Sequence, residues 1–267
     1  MTNFKEKLFA VAIVAILVSA FMAQDFFGAR ESRIIFCDVG QGSGAIIALR
    51  GGLQIIVDAG PSNKFSGCVG RNMPYFDRRI ELMVISHPDK DHFVGAIELL
   101  KKYRVERVLV NNDVSGSGEY KVFSGLANDK LRKVGAGEQI KIGGAEIDFL
   151  SPGKDYKNDN KNSLFFKFSY GDKKAIFTGD APTEIEDGLV RDGADLRADI
   201  LQIAHHGSED SFSKKFFEAV GPELAIISVG KDNKYGHPSG RVVKALKNLN
   251  VRYFRTDEAG DITVPLE

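Results

Sequence analysis

Ser86-His87-Pro88-Asp89-Lys90-Asp91-His92-Phe93-Val94-Gly95 places two histidines and two aspartates within six residues, directly after the apolar run Ile80-Glu81-Leu82-Met83-Val84-Ile85. A short β-branched and apolar run bounded by polar residues reads as a buried strand. The ligand-rich loop therefore leaves the carboxyl end of a strand and enters a helix predicted over 94–102, which is where α/β sheets place their sites. Imidazole nitrogens and hard carboxylate oxygens at the H-x-D-x-D-H spacing suit two divalent metals held close together.

The chain holds five histidines, and the other three stand in the same context. His205 and His206 end the apolar run Asp199-Ile200-Leu201-Gln202-Ile203-Ala204, and His237 follows the strand predicted over 224–229. All five follow predicted strand ends, and none is expected inside a helix; structural histidines would scatter. Asp58 ends Gln54-Ile55-Ile56-Val57, and Asp180 ends Ala175-Ile176-Phe177-Thr178-Gly179. Each is a carboxylate at a strand tip beside a glycine, which lets the backbone turn sharply near a ligand. Beside the histidine motif, Asp180 is the candidate for a carboxylate bridging two metals, and Asp58 for one that orients a ligand histidine from behind.

In order, spacing and strand-end placement these residues resemble the metallo-β-lactamase superfamily. Asp58 matches its first motif, His87-x-Asp89-x-Asp91-His92 its second, Asp180 its fourth and the late His237 its fifth. More narrowly, the chain is similar to the soluble domain of ComEC-type DNA-uptake proteins. The residues behind this are Asp38-Val39-Gly40-Gln41-Gly42, the 86–92 loop, Asn162-Ser163-Leu164, Thr178-Gly179-Asp180, His205-His206-Gly207-Ser208 and Tyr235-Gly236-His237-Pro238-Ser239. The resemblance runs from about residue 33 to the C-terminus. It implies a mixed α and β fold, a four-layer αββα sandwich. It also implies a ligand set of His87, Asp89, Asp91, His92, Asp180 and His237, for two divalent ions. Asp91, His205 and His206 are the expected catalytic groups, with coordination and proton donation both open to the two adjacent histidines. Asp58, Asp38, Gln41, Asn162, Ser163 and Ser208 are expected around the ligands or against the substrate.

The chain also departs from the pattern. Asp89 stands where most of the superfamily has His, although the ComEC-type branch shares the Asp. Asn162-Ser163 occupies the region of the third-motif histidine, and Ser43 stands where the branch usually has an acid. An oxygen-rich set of this kind tilts preference towards manganese or magnesium, with zinc still accommodated. Two such ions would acidify a bound water and offset charge on a substrate oxygen, and a phosphodiester is the natural match.

The 267 residues are 43% hydrophobic, enough for one large core, and 36 basic against 36 acidic side chains leave no net charge. Global attraction to nucleic acid is therefore absent, and polyanion contact must come from local patches such as Lys101-Lys102, Lys173-Lys174 or Lys214-Lys215. Residues 1–30 read as a signal sequence or a membrane anchor: Lys5 and Lys7 precede Leu8 to Ala23, which carries no charge. Val18-Ser19-Ala20 offers small residues for cleavage. Residues 31–267 are expected to form one hydrolase domain outside the cytoplasm, secreted or anchored. Cys37 lies mid-strand, where a buried free thiol is usual, and Cys68 lies in a glycine-flanked loop; export permits a disulfide between them, which sequence does not establish.

Strands are predicted near 33–39, 44–49, 53–58, 81–86, 106–110, 139–142, 145–150, 164–170, 173–179, 199–204, 224–229, 251–255 and 261–264. Helices are predicted near 94–102, 121–130, 183–192, 211–219 and 239–248. The early part reads as successive hairpins and the later part as alternating helix and strand, with flexible or polar loops over 61–70 and 152–162. The functional expectation is an exported metal-dependent phosphodiesterase, a nuclease acting on DNA in connection with uptake, beside a channel protein in the membrane. Two other readings stand: a binuclear hydrolase of a lactone, amide or phosphoester, and a non-catalytic accessory subunit of DNA uptake.

Overall fold

A computed structural model describes residues 4–28, 31–153, 156 and 159–267. The first half of the chain supplies β1 (Arg33–Phe36), β2 (Gly44–Leu49), β3 (Leu53–Ala59), β4 (Arg79–Ile80), β5 (Leu82–Val84), β6 (Arg104–Val105), β7 (Val108–Val110) and β8 (Leu131–Lys133). The second half supplies β9 (Gln139–Ile142), β10 (Ala145–Ser151), β11 (Phe165–Tyr170), β12 (Lys173–Phe177), β13 (Ile200–Gln202), β14 (Leu224–Ile227), β15 (Arg252–Arg255) and β16 (Ile262–Pro265). Among the described residues these form two seven-stranded sheets, β16-β1-β2-β3-β5-β7-β8 and β15-β14-β13-β12-β11-β10-β9, with β4 and β6 as a small parallel pair.

Both halves follow one plan, which the expected contrast between an early hairpin region and a later alternating region does not describe. In the first, β1, β2 and β3 run antiparallel and β3, β5, β7 and β8 run parallel. In the second, β9 to β12 run antiparallel and β12 to β15 parallel. Parallel neighbours need crossovers, and the helices Lys64–Asn72, Lys90–Lys102, Gly118–Ala127, Thr183–Arg191, Lys214–Val220 and Gly240–Asn248 lie along them. The last strand, β16, returns to pair with β1 and joins the two ends of the domain.

The sheets face each other across a layer that includes Phe36, Phe166 and Phe177, with Phe177 stacked on both of the others. Each such side chain, fully buried, contributes roughly 1.5–3 kcal/mol. A second cluster lies between the first sheet and its helices (Phe65, Phe93, Phe123), and a third between the second sheet and its helices (Phe216, Phe217, Leu246). The architecture is the expected αββα sandwich. Its parallel strands all point their carboxyl ends to one edge.

Two local expectations are corrected, and the open question of the two cysteines is decided. The segment expected to be flexible over 61–70 is largely helical, Lys64–Asn72, because Phe65, Cys68 and Val69 fall on one face and are buried. Cys37 is not a free thiol: it is bonded to Cys68, so the helix is fastened to the end of β1. The helix after the ligand loop begins at Lys90, so His92 lies in its first turn rather than before it.

Helix Phe4–Gly28 covers the N-terminal apolar stretch, and Leu8, Phe9, Val11, Ile16 and Leu17 are exposed on it. Among the described residues no helix is long and apolar enough to cross a membrane. The boundary at 29–30 and part of the polar loop over 152–162 lie outside the described residues.

Candidate metal centre

Asp58 ends β3 in the left-handed region, at φ 54°. This turns its carboxylate back under the neighbouring loop, where Oδ1 accepts from the Ser86 N–H at 2.8 Å and Oδ2 from the Ser86 hydroxyl at 2.9 Å. Oδ2 also lies 2.8 Å from His92 Nδ1. A carboxylate only accepts, so His92 carries its proton on Nδ1 and turns Nε2 outward with a free lone pair. Ser86 adds a second lock. Its one proton goes to Asp58, so towards His87 Nδ1, 3.0 Å away, the hydroxyl oxygen accepts, and His87 Nε2 is left bare as well. Gly95 allows the helix to sit this close: a Cβ there would lie 1.9 Å from the Ala59 carbonyl oxygen.

Asp180 arrives from the other sheet, after β12. Gly179 precedes it at φ 53°, and a Cβ on that residue would come within 2.9 Å of Ser163 and 3.0 Å of Ser86. The Asp180 N–H donates to Ser163 Oγ at 3.2 Å. Its carboxylate stands at the centre of the histidines. Oδ1 is 3.1 Å from His92 Nε2, and Oδ2 is 3.6, 3.8 and 3.9 Å from Nε2 of His205, His206 and His87.

His205 and His206 follow β13 in a tight turn, both with positive φ (49° and 56°). A non-glycine residue held there costs of order 1–3 kcal/mol, a strain that clusters at functional sites. The turn sends the two rings apart. His206 is buried, donates from Nδ1 to the Ser228 carbonyl at 2.9 Å, and brings Nε2 to 3.3 Å from Asp91 Oδ2. His205 is part-exposed towards His237, with ring centres 5.6 Å apart.

Two groups of side chains converge closely enough to hold an ion, His87 with His92 and Asp180, and Asp91 with His92 and His206. Asp89 stands beside the first, its Oδ2 3.5 Å from His87 Nε2, and His237 flanks the second with its ring 6.4 Å from that of His206. The remaining expected residues surround them. Gln41 Oε1 accepts from the Gly230 N–H, tying the loop after β1 to the loop after β14, while Asp38 accepts from the Gly40 N–H. Asn162 donates to Asp113 and accepts from the Tyr156 N–H, tying two loops together, and Ser208 bonds Asp210. The sequence reading passed over Ser86, Asn111, which donates to the Asn162 carbonyl, and Asp113. Ser86 lies within the quoted motif, but its role depends on the turn that brings Asp58 to it.

The donor set fits divalent ions on two physical grounds. Among the described residues, His87 Nε2, His92 Nε2, His206 Nε2, Asp180 Oδ1 and His237 Nδ1 are buried polar atoms with no hydrogen-bond partner, and leaving such atoms unsatisfied costs ~1–3 kcal/mol apiece. Ions seated in the two groups would satisfy those of His87, His92, His206 and Asp180. The charges also call for cations. Burial opposes the charge of Asp180, yet His92 and His206 hold its carboxyl well below the usual range. Burial likewise opposes a proton on His92, yet Asp180 and Asp58 raise its affinity well above that of an ordinary histidine. Asp91 falls to about 2, where burial is outweighed by His206 and His92. Carboxylates that draw protons onto neighbouring imidazoles are set to draw metal ions in their place. Cys37, Cys68 and Asp261 also converge, but a disulfide leaves no thiolate to ligate.

Comparison with known proteins agrees with this geometry. Residues 37–231 match the Metallo-beta-lactamase superfamily. The chain is 28% identical over 255 residues to ComE operon protein 3 of Bacillus subtilis, covering 87% of this chain and 33% of that protein. It is 28% identical to Recombination protein 2 of Haemophilus influenzae, covering 85% and 28%. It thus spans about a third of the length of these relatives. Among solved structures, the metallo-beta-lactamase fold protein YhfI from Bacillus subtilis superposes with a TM-score of 0.59 at 13% identity, covering 88% of this chain and all of the other. The match over most of the domain, together with the carboxylate and histidines gathered at one sheet edge, places this chain in the metallo-β-lactamase superfamily.

Proposed function

We propose that the protein is a phosphodiesterase that holds two divalent ions and cleaves DNA outside the cytoplasm, in connection with DNA uptake. The observation that carries the reading is the set of buried, unpartnered ligand atoms converging from both sheets on Asp180. The similarity to Recombination protein 2, and the 28% identity to Competence protein ComA of Neisseria gonorrhoeae, support DNA as the polymer. The Cys37–Cys68 disulfide supports an oxidising compartment, as does the apolar segment that begins the chain.

When bound, the ions supply Lewis acidity and neutralise charge on the phosphodiester. The protein's part is position. Asp58 and Ser86 fix the tautomers of His92 and His87, and Asp180 stands between the two ligand groups. His205, part-exposed and 3.6 Å from Asp180, is placed to hydrogen-bond a phosphate oxygen or pass a proton to the leaving oxygen.

The test is to purify the full chain without chelators, measure bound metal, and assay cleavage of labelled DNA with manganese, magnesium and zinc. About two ions per chain and metal-dependent cleavage are expected; no bound metal and no cleavage with any of the three refutes the reading. Protease shaving of intact spheroplasts tests the location, and a chain protected until lysis would place it in the cytoplasm.

A further inference from the structure

Tyr235 is 59% exposed, yet its loop is held rigidly. Asn233 braces that loop from within: its amide donates to the carbonyls of Gly230 (2.9 Å) and His237 (2.6 Å), and its side-chain oxygen accepts from the N–H groups of Tyr235 (3.2 Å) and His237 (3.0 Å). The Tyr235 ring lies nearly parallel to that of His237, at 27° with centres 5.8 Å apart. His237 in turn stands 5.6 Å from His205, whose Nε2 is 3.6 Å from Asp180. A line of rings therefore runs from the ligand cluster to the surface and ends in the exposed Tyr235 ring.

Lys234 Nζ lies over the Tyr235 ring, 5.2 Å from its centre, and Lys231 and Asp232 are exposed in the same loop. Lys64 is exposed beside Gly40, whose loop packs on Gly230. Scattered surface aromatics need no explanation. This one is braced by Asn233, stacked on His237 beside the cluster, and has one lysine over its ring. An aromatic platform within a basic rim is how proteins hold unpaired nucleobases, at ~1–3 kcal/mol per stacked base. In a duplex both faces of each base are already covered.

We propose that Tyr235 is the seat for an unpaired nucleobase next to the phosphodiester held at the cluster, so that the polymer enters as a single strand. This rests on the phosphodiesterase reading of the site, and the experiment separates the two. Fluorescence anisotropy measures binding of labelled oligothymidylate, and of an abasic oligomer of equal length and charge, to the full chain and to its Tyr235→Ala and Tyr235→Phe variants.

The expected result is a roughly 5- to 150-fold weaker affinity of Tyr235→Ala for oligothymidylate, with affinity for the abasic oligomer unchanged and Tyr235→Phe close to wild type. Equal weakening for both oligomers would assign Tyr235 a merely structural role and overturn the proposal, as would no weakening or a wild-type chain that does not distinguish the two. Cleavage assays on the same samples report on the other reading. Base-dependent binding without cleavage under any metal keeps the stacking seat and rejects the nuclease.

Discussion

Asp58→Asn tests the tautomer logic of the centre with little disturbance elsewhere. Asp58 occupies the left-handed region, which asparagine tolerates well, so the backbone has no reason to move. In the native site both carboxylate oxygens accept: from the Ser86 N–H, the Ser86 hydroxyl and His92 Nδ1. An asparagine that keeps its oxygen on the Ser86 N–H must turn its NH2 towards Ser86 Oγ and His92 Nδ1. His92 then has to accept at Nδ1, which moves its proton to Nε2, the atom facing Asp180 and shared by both ligand groups. The lost charge-assisted hydrogen bond is worth ~1.5–3 kcal/mol, and removing such a supporting partner weakens metal binding about 10- to 100-fold. Competition against a chromogenic chelator, on the folded full chain, reads the affinity directly. Unchanged affinity in a folded Asp58→Asn variant would refute the reasoning, because His92 would then present Nε2 without help from Asp58.

Three further outcomes are expected. Glu186 is buried, and burial raises its carboxyl to about 8 against the hydrogen bond from the Ser213 N–H. The folded state therefore keeps a proton that the unfolded chain releases above pH 4.5, and stability falls by ~1.4 kcal/mol per pH unit from about 4.5 to about 8. Chemical denaturation across that window should show Glu186→Gln with a flatter profile than wild type, and parallel profiles would count against a buried neutral acid. Replacing Cys37 and Cys68 by serine, which opens a bridge between residues 31 apart, should lower stability by ~2–4 kcal/mol, visible as a shift in the denaturation midpoint. Finally, Asp180→Asn should abolish metal-dependent cleavage or reduce it by ~100-fold or more, because it removes the carboxylate common to the histidines, whereas Ser43→Ala should stay within a few-fold of wild type. Ser43 is tied into the centre by its backbone, which donates to the Asp91 carbonyl and accepts from the Gly60 N–H, and equal losses in the two variants would misplace the central carboxylate.

The cluster loop is legible along the chain, and the fold class through the family resemblance its motifs carry. His87, Asp89, Asp91 and His92 are close in space because they are close in the chain, and local spacing is what a sequence displays. The period-two and period-3.6 apolar patterns likewise located the principal strands and most helices. Several features were decided by contacts instead. Helix Lys64–Asn72 was hidden by Ser66, Gly67 and Gly70, which read as a turn, and it forms because Phe65 and Val69 are buried against the first sheet and Cys68 is bonded to Cys37. β4, β6 and β8 are too short to show a period and take their strand character from a neighbour. The sequence leaves open how His205 and His206 sit relative to the cluster; the structure buries His206 in it and leaves His205 part-exposed beside Asp180. The answer depends on positive φ at both residues and on the Ser228 carbonyl, 22 residues away, which holds His206 against Asp91. Asp180 meets His87 and His92 only because two sheets bury a common face and bring their carboxyl edges together. Residue types and local order are written along the chain, but distances between remote side chains are set when the apolar layers close.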